Sequence, residues 1–244
     1  MNNKIKKLLR YSILLLAIPA VILPGVTVFK DRQYAFISLA VVLLACVPFF
    51  LSFERRKGNG KLLILIAVMA ALSSLGRFVF AAVPGFKPVT ALVVITAIYF
   101  GAEAGFMTGA LSALVSNFYF GQGPWTPFQM FSWGLLGLIA GLLAGKLRGS
   151  RTLLLLYGVL AGAAYSLMMD TWSTLWMDGT FSLARYAAYV AASLPWMAIY
   201  AASNVVFLLI FGKAIGQILE RLKYKYGIGE QLDERGADDC DRLQ

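Results

Sequence analysis

Few residues in this chain are equipped for chemistry, and they sit where an apolar sequence has least room for them. Arg77 closes a long apolar run, and Lys87 follows in the bent segment PGFKP at 84–88. Two further segments combine aromatic rings with amides or carboxylates. The first is NFYFGQGPWTPFQ at 117–129, where Asn117, Tyr119, Gln122, Trp125 and Gln129 share a frame of glycines and prolines, with Trp133 just beyond. Such a frame fixes a bent loop. The second is DTWSTLWMDG at 170–179, with Asp170, Trp172 and Trp176. Rings with a few convergent polar groups suit a flat organic ligand better than an ion. Each has a blander reading. Trp and Tyr gather at membrane boundaries anyway, Asp170 fits an interfacial cap, and Arg77 can snorkel to headgroups.

What is missing narrows the chemistry further. There is no histidine, which removes imidazole metal sites and Ser-His or Cys-His nucleophiles. No phosphate loop of the form GxxxxGK[ST], no HExxH and no CxxC pair occurs. No metal ligand set, cofactor or catalytic residue is predicted. An intramembrane enzyme would need convergent groups, and Arg77, Asp170 and Glu103 are dispersed. Cys46 lies in an apolar run and Cys240 in a polar tail, so no disulfide is expected.

The elements that position these residues must be membrane helices. Of 244 residues, 59% are hydrophobic and 14% charged, with a mean hydropathy of +0.74; soluble domains carry about 25% charged residues. Apolar runs of spanning length recur, and helices satisfy their own backbone in lipid. The pattern predicts an all-α integral membrane protein of about eight spans, at 11–29, 34–53, 61–83, 88–101, 103–119, 129–145, 152–170 and 190–213. A cleaved signal peptide is not expected, since Pro19 and Pro24 interrupt the first run and further spans follow. The net charge of +10 reflects basic residues at the ends of apolar runs, a topology signal rather than one for nucleic acid. With both termini in the cytoplasm, the inner segments hold all 22 basic residues except Lys30, Arg32, Arg77, Lys87 and Arg185.

Three parts are expected: a transmembrane hairpin with a cytoplasmic linker at 1–60, a six-helix core at 61–215 and a polar cytoplasmic tail at 216–244. Small residues recur four apart at Ala67 and Ala71, and again at Gly137, Gly141 and Gly145. That spacing lets helices approach closely, most simply within the chain.

Four passages carry a resemblance: AVMAA at 67–71 leading to Gly76 and Arg77, PGFKP at 84–88, YFGAEAGFMTGALS at 99–112, and residues 117–145. Over about 150 residues the core resembles the substrate-binding (S) components of energy-coupling factor (ECF) vitamin transporters, most closely the cobalamin type. The hairpin departs from their usual six-span form. The resemblance implies a multi-pass subunit of a prokaryotic plasma membrane that captures a vitamin from outside. A transmembrane scaffold (T component) and two ATPases would drive uptake. It assigns Ala67 and Ala71 to the scaffold interface and puts the ligand near the outer face, among the residues above. A corrinoid is the first expectation, riboflavin or another aromatic vitamin the second. A membrane subunit with a purely structural or regulatory role stands as the alternative.

Overall fold

The computed structural model describes residues 3–24, 59–226 and 228, with isolated positions 37, 40, 41, 43 and 44. The predicted second span at 34–53, most of the linker and the tail beyond Ile228 lie outside the described residues. Among those described, every element is helical. Helix α1 (Asn3–Ser12) runs through a π-helical turn (Ile13–Ala17) into α2 (Ile18–Pro24). Then come α3 (Asn59–Val79), α4 (Val89–Phe100), α5 (Ala102–Phe120), α6 (Trp125–Leu142), α7 (Ala144–Gly149), α8 (Arg151–Asp178) and α9 (Leu183–Tyr226).

Three stretches, Gly60–Val79, Arg151–Asp178 and Leu183–Tyr226, are long and apolar enough to cross a membrane. They coincide with predicted spans at 61–83, 152–170 and 190–213. Two of them overrun the prediction. Helix α8 continues through the segment 170–179 to Gly179, which ends it with φ of 68°, and α9 continues into the predicted polar tail as far as Tyr226. In both places the polar residues fall on helix faces rather than in loops. The segment 117–129 is mostly helical too: α5 reaches Phe120 and α6 begins at Trp125.

The bundle is organised around its shortest core helix. Nine consecutive residues of α4, 89 to 97, are buried. A helix apolar on all sides has to be enclosed by protein or lipid, and α3, α5, α6, α8 and α9 all pack on this one. Being enclosed by protein, α4 need not match the bilayer, and its 12 residues span about 18 Å.

Helices α5 and α6 form the closest pairing. Their glycines meet across it: a Cβ on Gly105 would lie 2.7 Å from Gly137 O, and one on Gly141 would lie 2.3 Å from Ala102 Cα. Only glycine permits backbones so near. The Gly137/Gly141 spacing is thus an internal seam. Gly145 is off it, with open space around its Cβ position. The N-terminal helix joins the same core through buried Leu14, Ile18 and Ile22, with α2 against α6.

The two ends of the bundle differ in charge. At one end Arg10 pairs with Glu103 at 2.9 Å, Arg148 pairs with Glu220, and Arg148 lies over the Tyr99 ring at 5.2 Å. Lys61 lies over the Tyr226 ring there. The other end carries Arg77, Lys87 and a cavity.

Candidate functional site

Buried hydroxyls in these helices satisfy themselves locally. Ser112 Oγ donates to Thr108 O and Ser116 Oγ to Ser112 O, each at 2.6 Å, the usual i−4 bond of buried Ser and Thr. Ser116 still has lone pairs free, and these face Arg77. Arg77 Nη1 donates to Ser116 Oγ at 2.6 Å and to Asn117 Oδ1 at 2.7 Å. Asn117, with no exposed surface, donates in turn to Thr126 Oγ1 at 3.0 Å and Gln129 Oε1 at 2.8 Å. Gln129 Nε2 then donates to the Tyr165 hydroxyl at 2.8 Å. One polar chain therefore links α3, α5, α6 and α8, and each amide in it is held at both ends.

This chain borders a cavity of about 100 Å³. Arg77 and Lys87 line it with Gln129 and Trp133, and so do Thr90, Tyr165, Tyr200 and Asn204. Trp133 and Tyr165 stack nearly parallel, 8° apart with centroids at 5.1 Å, and Tyr200 meets Tyr165 edge-on at 5.3 Å. Lys87 reaches the cavity from the loop between α3 and α4. Gly85 turns that loop with φ of 77°, a conformation that suits glycine. Ser203 on α9 pins it: Lys87 N donates to Ser203 Oγ at 2.8 Å, and Ser203 Oγ donates to Lys87 O at 3.0 Å. The two cations share one ring, with Arg77 at 4.5 Å and Lys87 at 4.9 Å from the Phe120 centroid. Burial, and after it the Arg77 charge, hold the Lys87 ammonium below the usual lysine range.

Of the residues singled out from sequence, Arg77, Lys87, Gln129 and Trp133 line this cavity, and Asn117 supports it from behind. The others lie elsewhere. Tyr119 is exposed and packs edge-on against Phe78. Gln122 Nε2 folds back onto α5, donating to Leu114 O at 2.9 Å. Trp125 meets Trp172 edge-on, and Trp172 stacks on Trp176. Asp170 accepts from Ser193 Oγ at 2.6 Å, tying α8 to α9. Ala67 and Ala71 are exposed on α3, in one apolar stripe with Ile64, Val68 and Leu75.

The sequence reading missed Thr90, Tyr165, Tyr200 and Asn204. Asn204 offered a signal, an amide inside an apolar run. It donates to Gly158 O at 2.9 Å, which turns it toward α8. Tyr165 and Tyr200 offered none, since a tyrosine in such a run reads as packing.

Helices of spanning length with an aromatic and polar cavity at one end are the architecture of a membrane protein. Comparison with known proteins gives the family. The profile described as "ECF-type riboflavin transporter, S component" matches residues 58–223, and the chain belongs to that family. It is also 30% identical over 89 residues to UPF0397 protein VS_II0189 of Vibrio atlanticus (strain LGP32), covering 34% of this chain and 48% of that protein. The chain thus spans about half the length of this curated relative. No solved structure matches it.

Proposed function

We propose that the chain is the membrane-embedded capture subunit of an ECF uptake transporter, and that its cavity takes a flat aromatic vitamin of the riboflavin kind from the outer face. The observation that carries this reading is the cavity: a stacked Trp133–Tyr165 pair beside a fully bonded polar chain, in a chain whose family is that of riboflavin-type S components. Stacked rings recognise a planar ligand, and a few fixed polar groups orient it. Sites for drug-sized ligands run to about 300–1,000 Å³, so the cavity of about 100 Å³ must open further on binding. A corrinoid would demand far more opening. Both the family and the cavity size therefore favour the second expectation from sequence over the first.

The remaining features fit this role. An excess of basic residues at the end bearing Arg10, Lys61, Arg148 and Lys225 supports reading that end as cytoplasmic and the cavity as outward-facing. A T-component scaffold and two ATPases supply the energy from separate chains. The exposed stripe of Ala67 and Ala71 is the scaffold contact. The N-terminal helix, docked through α2 on α6, leaves that stripe uncovered.

The test is capture and uptake measured together. The purified chain should quench riboflavin fluorescence with submicromolar affinity, and co-expression with a scaffold and ATPases should restore growth of a riboflavin-requiring strain. Ala67→Trp and Ala71→Trp should keep capture and lose uptake. A chain that binds no vitamin, with Trp133→Ala leaving growth untouched, would instead have a structural or regulatory role.

A further inference from the structure

The cavity holds charge that none of the described residues balances in an ion pair. Arg77 and Lys87 both line it, and none of its lining residues is acidic. Arg77 is 9% exposed, its hydrogen-bond partners Ser116 and Asn117 are neutral, and its Nε has no partner. Lys87 approaches the same Phe120 ring as Arg77, so two like charges converge. Neither Asp170, which accepts from Ser193, nor Asp178, which pairs with Arg185, lines it. Glu103 and Glu220 bind arginines at the opposite end. Among the described residues no ion pair reaches either cation of the cavity. Buried charge is kept where something compensates it, and cation–π contact does so only in part.

A brace for Asn117 accounts for Arg77 Nη1 alone. It accounts neither for the unpartnered Nε nor for Lys87, whose loop has open solvent as an alternative. We propose that the ligand of this cavity carries an anionic group, a carboxylate or phosphate on a flat ring system, seated between Arg77 and Lys87. This rests on the capture reading above and sharpens it: riboflavin itself is neutral and would leave both charges unmet. The ring lies on the Trp133–Tyr165 stack, and its anion accepts from Arg77 Nε and Lys87 Nζ.

The test compares paired neutral and anionic probes on the purified full-length chain by titration calorimetry. The pairs are riboflavin and riboflavin 5′-phosphate, nicotinamide and nicotinate, biotinamide and biotin, and pterin and folate. An anionic member should bind about tenfold or more tightly than its neutral partner, the worth of one charge-assisted bond, and raised salt should erode the difference. Lys87→Gln should shrink that preference several-fold, the rest being carried by Arg77, while melting at the wild-type temperature. Arg77→Gln should do the same where it folds, and Lys87→Gln decides the matter where it does not. Neutral riboflavin bound as tightly as its phosphate, with Lys87→Gln silent, overturns the inference and leaves the capture reading intact. No binding by any probe overturns both. Inorganic phosphate and a short-chain anionic phospholipid are run alone. Occupancy by the lipid, with no anionic vitamin bound, assigns the cation pair to a headgroup and also overturns the inference.

Discussion

The α5–α6 seam yields a quantitative test through Gly137→Ala. The added Cβ would lie 2.4 Å from Gly105 O, 2.5 Å from its carbonyl carbon and 2.8 Å from Val93 Cγ1, where ordinary contact begins at 3.4 Å. The nearest obstacles are backbone atoms, so no rotamer change relieves the clash and α6 must withdraw by about 1 Å. Overpacking of this kind costs about 1–3 kcal/mol, and an obstacle of backbone puts Gly137 at the upper end. For a chain of this size that lowers Tm by about 5–10 °C. Gln129 and Trp133 ride on α6, so ligand affinity should fall with it. The assay is thermal unfolding in detergent followed by ligand titration. Gly145→Ala is the control, because its Cβ meets nothing within 4 Å; it should be neutral or gain up to about 1 kcal/mol of helix propensity. Gly137→Ala matching this control in both Tm and affinity would refute the reasoning.

Two further tests follow from the site. The Lys87 ammonium is held below the usual lysine range by burial and then by Arg77, so it loses its proton earlier than a free lysine as pH rises. Affinity for an anionic probe should be full below that lowered pKa and fall as pH climbs through it. Binding should raise the pKa and take up protons, seen as a buffer-dependent heat, and Lys87→Gln should abolish both effects. Tyr165→Phe keeps the stack on Trp133 but leaves Gln129 Nε2 without its acceptor. An orphaned buried donor costs about 1–3 kcal/mol, so Tm should fall and ligand affinity with it, whereas loss of affinity at unchanged Tm would point to direct contact between the hydroxyl and the ligand.

The helices at 61–83, 152–170 and 190–213 are legible in this sequence because lipid imposes a length and a composition on each span, whereas the ends of the last two are not. Residue types also marked the cavity: Arg77, Asn117, Gln129 and Trp133 are polar or aromatic where apolar side chains would be cheaper. Facing was harder to read. Treating 117–129 as a loop made its polar and aromatic residues equivalent. On α5, Asn117 and Tyr119 stand two residues apart and so point to opposite sides, one into the polar chain and one out. Gln129 and Trp133 stand four apart and share a face. The same difficulty hides Asp170, which α8 turns away from Trp172 and Trp176, a stacked pair on another face. Tyr165 and Tyr200 were illegible because their role comes from meeting each other across α8 and α9, a long-range contact that no local pattern encodes.

Helix α9 runs 44 residues without a break, about 66 Å at 1.5 Å per residue, twice the thickness of a bilayer core. Near its middle it lends Tyr200 and Asn204 to the cavity, and near its end it holds Arg148 through Glu220. No proline interrupts it between these points. Such an element behaves as a lever. With about 30 Å between Tyr200 and Glu220, a tilt of about 10° displaces the far end by about 5 Å. On the proposed reading the cavity widens to admit its ligand, and a widening that leans α9 outward would be felt at the opposite end of the bundle as a mechanical stroke.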